Sequence, residues 1–293
     1  MTERLRVGRI PYVNCYPVYG AIDRGVVRLN ADLVDGVPTA LNAKMAGGHL
    51  DVSVISAVEY AHGWDRYLLL PDLAISCDGP VQSVVLFSDR PAPELTGCRV
   101  VVSRSSMTSV RLLELLFENV WRARPVFVQG DAEARDFSRD GRDASREGLP
   151  GERVAARLVI GDAALMLSAG ALPSSFTHRY DLGAAWKEWT GLPFVFAVWV
   201  ARRGAATADA LRLHGSLIES RNWGLSHLDD LAAEAERRTG VARGTCRAYL
   251  ADLDYGLSYP HLEGLTEFFR RLAVAGRVPP SRLSFIPAAR VAS

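Results

Sequence analysis

The run Thr190–Gly204, TGLPFVFAVWVARRG, decides how the chain is organised. It is strongly β-prone, opens on a glycine and a proline, and separates an α/β pattern from an almost wholly helical C-terminal third. We read it as a return crossing, where the chain leaves one lobe and re-enters another. The outward crossing is expected at RPAPELTG, residues 90–97, a proline-rich connector suited to bridging two lobes.

Between these crossings the sequence alternates strand and helix. CRVVVS (98–103), RPVFVQG (124–130) and the start of ARLVIGDAALML (156–167) read as strands, the last turning into a helix at Gly161-Asp162. In SRSSMTSVRLLELLFENVW (103–121), Val110, Leu113, Leu116, Phe117, Val120 and Trp121 recur at helical spacing behind a serine-rich start suited to an N-cap. Outside the crossings the alternation is the same. LRVGRI (5–10), a helix near 17–25, RLNADLV (28–34), TALNAKMAGGHL (39–50) and DVSVIS (51–56) lead to two β-rich runs, 67–76 and 81–89, joined by the turn signal CDGP. This predicts a discontinuous lobe one from residues 1–89 and 200–293 and an inserted lobe two from 90–199, with crossings near 88–97 and 192–202. That plan is an α/β, two-lobed, periplasmic-binding-protein-like type II fold, with a ligand cleft between lobes that hinge.

Composition narrows the function classes. A formal net charge of +1 over 293 residues gives no electrostatic footprint for nucleic acid or an anionic membrane. Arginine outnumbers lysine 32 to 2, but the arginines are scattered, so the excess marks no anion site. No run reaches the ~20 apolar residues of a membrane span, and the N-terminal MTERLRVGRI lacks a signal-peptide h-region, so a cytoplasmic location is expected. Cys15, Cys77, Cys98 and Cys246 form no CxxC pair and the six histidines show no HxH or HxxxH spacing; no metal is expected. The segment 131–153 carries twelve charged residues of both signs and reads as a solvated excursion rather than a site.

The loop RIPYVNCYP, residues 9–17, follows the first strand and so lies on the rim where open α/β sheets bind ligands. Pro11 and Pro17 stiffen it. Asn14 can both donate and accept, which suits binding a departing hydroxyl and holding a ring; the alternative is an Asx turn. Ser76, Gln82 and Ser83 approach the same rim, Ser83 being either a ligand contact or an ordinary strand hydroxyl. Ser105, Ser106 and Thr108 open a helix whose free amides form an anion site or a plain N-cap. Arg9 is a candidate partner for a carboxylate, Asp162 a candidate base or N-cap, and Tyr12, Phe194 and Tyr255 are either cleft or core aromatics.

Five motifs occur in one order: GRIPYVNCYP, SCDGPVQSVVLFS, SRSSMTSVRLLELLF, IGDAAL and GLPFVFAVW. Together they resemble the menaquinone biosynthesis family of the futalosine route, in its chorismate dehydratase branch, over residues 4–275. The resemblance implies loss of one water from chorismate, a dicarboxylate, to give 3-[(1-carboxyvinyl)oxy]benzoate, with no metal or nucleotide cofactor. It also implies that Asn14 takes part in catalysis, that Ser83 contacts ligand, and that the substrate's enolpyruvyl carboxylate takes the ring proton. The sibling branch, which cleaves cyclic dehypoxanthinyl futalosine, has a different opening motif from RIPYVN. Two other readings stay open: a small-carboxylate-binding or sensing protein of the same fold, and that sibling lyase. No nucleic acid or membrane partner is expected, and the helical C-terminal third is the surface available for a homodimer.

Overall fold

The computed structural model describes residues 4–133, 154–171, 174 and 176–288. Its first unit runs β1 (Leu5–Arg9), α1 (Tyr16–Asp23), β2 (Ala31–Asp35), α2 (Pro38–Ala46), β3 (Val52–Ser56), α3 (Ala57–His62) and β4 (Tyr67–Cys77). The chain then crosses to β5 (Val84–Ser88), β6 (Arg99–Ser103), α4 (Met107–Leu116), β7 (Val126–Gly130), β8 (Ala156–Ile160), α5 (Gly161–Ser168), β9 (His178–Asp181) and α6 (Leu182–Thr190). It returns through β10 (Phe194–Arg202) and ends in α7 (Thr207–Ser226), α8 (Leu228–Thr239), α9 (Arg243–Asp252) and α10 (Tyr259–Val274).

Two five-stranded sheets result, ordered β2-β1-β3-β10-β4 and β7-β6-β8-β5-β9. Their plans match. In each, three parallel strands are followed by an antiparallel strand, β10 or β5, that the chain enters directly from the other sheet. Strands β3, β5 and β8 are buried along their whole length, because helices or neighbouring lobes cover both faces. One apolar core runs continuously from the first sheet into the second. Two tryptophans anchor it: the Trp199 indole donates to the Tyr19 hydroxyl (3.1 Å), and the Trp186 indole to the Pro193 carbonyl (3.1 Å).

The two crossings lie elsewhere than their composition suggests. Strand β5 already belongs to the second sheet, so the outward crossing is residues 78–83, not 88–97. Gly79 (φ 131°) and Gln82 (φ 60°) turn it, while RPAPELTG makes a short 3-10 turn at Ala92–Glu94 inside lobe two. A fully apolar strand fits either sheet equally well, so proline content misplaced the boundary. The return run is likewise a strand rather than a connector: eight of the nine residues of β10 are buried between β3 and β4, leaving residues 191–193 as the crossing.

The helix expected over 103–121 is α4 from Met107, followed by a π-helical turn at Phe117–Trp121 that ends on Arg122 in left-handed backbone. Of the charged excursion, residues 134–153 lie outside the described residues. Among the described residues no helix is long and apolar enough to cross a membrane, and no group of three or more His, Cys, Asp or Glu side chains could hold a metal ion.

Candidate functional site

The carboxyl ends of β1, β3, β6 and β8 all face the gap between the sheets, and the residues just beyond each strand build one cleft. From lobe one come Tyr12 and Asn14 after β1, Pro38 at the head of α2 and Ser56 at the end of β3. From lobe two come Ser106 and Ser109 at the head of α4, and Gly161 at the head of α5. The crossing contributes Ser83, and apolar side chains including Ile75, Ile160 and Phe196 make the walls. The enclosed volume is about 60 Å3. Small-molecule pockets run to ~300 Å3 and above, so this cleft is tighter than a typical ligand pocket.

Asn14 sits in a 3-10 turn, Val13–Cys15, closed by the Cys15 N–H donating to the Tyr12 carbonyl (3.0 Å). Its Oδ1 is buried and has no hydrogen-bond partner among the described residues, so it forms no Asx turn. A buried acceptor left empty costs ~1–3 kcal/mol, which a ligand hydroxyl or amide donor would offset.

Ser83 is held beside Gly161, whose N–H donates to the Ser83 carbonyl (2.8 Å), so the crossing and the head of α5 form one ledge of the cleft. The Ser83 hydroxyl donates weakly to the Val81 carbonyl (3.3 Å) and also meets the Tyr249 hydroxyl. The crossing that carries it is pinned by Asp181, whose carboxylate accepts from the Val81 and Gln82 amides (3.0 and 2.6 Å) and caps α6 through Ala184 N–H (3.1 Å). That carboxylate stabilises the left-handed backbone of Gln82 immediately before Ser83.

No charged side chain lines the cleft among the described residues. Its polarity comes from hydroxyls, the Asn14 amide, and the heads of α2, α4 and α5, whose dipoles favour negative charge. Tyr12 is the one lining group with a displaced pKa: burial, then the carboxylates of Glu133 and Asp162, push its hydroxyl up to about 12.

The expected site residues divide. Asn14, Ser83, Tyr12 and Ser106 come together in the cleft. Ser105 stands behind them, its hydroxyl close to that of Tyr12 and its N–H donating to Ser103 Oγ (2.9 Å). Four residues turn away, each for a visible reason. Arg9 forks onto Asp35 (2.7 and 3.1 Å) and also pairs with Asp23, so three of its N–H donors are committed to carboxylates of its own lobe and it does not line the cleft. The Ser76 hydroxyl donates to the Asp254 carbonyl (3.0 Å) in a β-bridge. Gln82 directs its amide toward Asp252 (3.5 Å) on the exposed side. Thr108 is buried and its Oγ1 accepts from Val58 N–H (3.2 Å), tying α4 to α3.

Asp162 is neither a free base nor a cap of its own helix, because both oxygens accept from lobe one. Phe194 and Tyr255 are core, and Phe196 lines the cleft instead. Ser56, Ser109 and Phe196 escaped the sequence reading. The rim rule that selected Asn14 points equally to Ser56 at the end of β3, whereas Phe196 was hidden by taking β10 for a connector.

A family model described as menaquinone biosynthesis matches residues 5–274 of the chain. A protein of Thermus thermophilus named chorismate dehydratase is 32% identical over 279 residues, covering 90% of this chain and 96% of the relative. Among solved structures, a protein of Archaeoglobus fulgidus matches with a TM-score of 0.72 at 20% identity, over 94% of this chain and 98% of that one. The alkanesulfonate-binding protein of Xanthomonas axonopodis pv. citri, bound to MOPS, matches with a TM-score of 0.65 at 15% identity, over 95% of each. At those identities the structural likeness speaks for the fold alone, which is two-lobed and periplasmic-binding-protein-like.

Proposed function

The chain belongs to the menaquinone biosynthesis family, and from that membership and the cleft we propose that it is a chorismate dehydratase, eliminating water from chorismate to give 3-[(1-carboxyvinyl)oxy]benzoate in the futalosine route. The observation that carries the site assignment is that, among the described residues, the Asn14 Oδ1 is unsatisfied and the cleft has no charged side chain. An ordinary dehydratase needs a base with a pKa near the working pH, and the described cleft offers none. Chorismate brings its own: the enolpyruvyl carboxylate takes the ring proton, the C–H pair becomes the new ring double bond, and the C–O bond breaks. The departing hydroxide receives that proton and leaves as water, while the ring becomes aromatic.

The protein's share is orientation and electrostatics. The Asn14 amide meets the departing hydroxyl and Ser83 braces the ring from the opposite ledge. The heads of α2, α4 and α5 receive the two carboxylates, and Ile75, Ile160 and Phe196 keep water out.

Purified protein incubated with chorismate, and followed by chromatography with mass detection, is expected to yield an aromatic species lighter by one water. Chorismate recovered unchanged with a measurable heat of binding would contradict this and make the protein a carboxylate binder. Absence of binding, with turnover of cyclic dehypoxanthinyl futalosine, would assign the sibling reaction.

A further inference from the structure

Asp162 is the second residue of α5, in lobe two, where a carboxylate ordinarily caps or complements its own helix. Here neither oxygen bonds to its own helix. Oδ1 accepts from the Val13 N–H (2.9 Å), on the loop after β1, and Oδ2 accepts from Arg238 Nε (2.8 Å), on α8. Both donors belong to lobe one, on the far side of the cleft. Arg238 lies beside the Tyr16 hydroxyl, so the two donors form one surface around the head of α1. Gly161, left-handed at φ 64°, brings Asp162 up to this surface, and a Cβ there would stand 3.1 Å from the Tyr12 ring.

We infer that Asp162 is the latch of the closed cleft and the positioning residue for Asn14. Its bond to the Val13 amide falls on the residue next to Asn14 and forms only when lobe two reaches lobe one. Closing the cleft and orienting the Asn14 amide are therefore one event. Other bonds also join the lobes, Thr108 to Val58 and Arg277 to Glu114 among them, but neither holds the backbone beside Asn14. The two arms of the latch differ in weight. The Val13 amide bond is charge-assisted and shielded, whereas the Arg238 side chain is 45% exposed and its pairing is screened. The link to turnover rests on the dehydratase reading; the latch itself does not.

The test uses Asp162→Ala, Asp162→Asn and Arg238→Gln, with amide hydrogen exchange read residue by residue and steady-state kinetics on chorismate. In Asp162→Ala the Val13 amide is expected to lose at least tenfold of its protection while β3 and β8 keep theirs, and kcat to fall about 10- to 100-fold through the misplaced Asn14. Asp162→Asn keeps an acceptor for Val13 and is expected to hold both quantities within about threefold, as is Arg238→Gln, which removes only the exposed arm. Wild-type protection of Val13 in Asp162→Ala would overturn the latch; lost protection with unchanged kcat would overturn its role in positioning. Should Asp162→Ala fail to fold, the wild-type protein decides: a Val13 amide that exchanges freely there contradicts the inference. A wild-type protein without turnover on chorismate would remove the dehydratase reading and leave the exchange result standing.

Discussion

Asn14 is the residue whose chemistry and position agree most closely. Its amide oxygen is buried without a partner among the described residues, in a loop stiffened by two prolines, an arrangement that costs stability until a ligand fills it. Asn14→Ala is therefore expected to lower kcat by about 100-fold or more while leaving thermal stability unchanged or slightly raised, checked by turnover assays and thermal melts on the same preparation. A variant that melts early and turns over normally would make Asn14 a structural residue. The strand-end position of Asn14 was readable because parallel strands deliver their following loops to the rim. Arg9 and Ser76 were misjudged for the same reason in reverse. Residue type and distance from a strand end are visible in a sequence, but the partners that turned them aside, Asp23, Asp35 and Asp254, come from other elements.

At the scale of elements, the crossing 78–83 links fold to site. It must leave β4, pass the head of α6, hold Gln82 in left-handed backbone and present Ser83 to the cleft. Gly183 lets it do so: a Cβ there would stand 2.5 Å from the Gly79 carbonyl and 2.6 Å from Cys77 Sγ. Gly183→Ala is expected to destabilise the protein by ~1–3 kcal/mol in urea unfolding through this overpacking, and to lower kcat by displacing Ser83. A variant as stable and as active as wild type would show that the crossing does not depend on that close approach. Most strands and helices were legible from periodicity, since alternation and i, i+3, i+4 spacing record which face is buried. The crossings were not. CDGP reads as a hairpin turn whether the strands it joins share a sheet or, as here, belong to different ones.

The whole molecule is two matching sheets closed over a cleft whose polarity comes from amides, hydroxyls and helix heads. The inserted-lobe plan was legible because β10 restarts a β pattern after lobe two, although its strand pairing, between β3 and β4, was hidden in an unbroken apolar run. Charge was also informative at this scale: a near-neutral, arginine-rich chain keeps its arginines out of the cleft altogether among the described residues.

In the proposed reaction the protein orients chorismate and the substrate supplies the base. The pH dependence of kcat/KM tests it most directly. With Tyr12 displaced to about 12 and no charged group lining the cleft among the described residues, the profile is expected to be flat from about pH 6 to pH 9, falling only where the substrate carboxylate itself protonates, near its ordinary value of about 4. A limb or bell inside that window would contradict the account and assign proton transfer to a protein group. Glu133, whose carboxyl burial beside Tyr12 raises above its usual range, would be the first to replace.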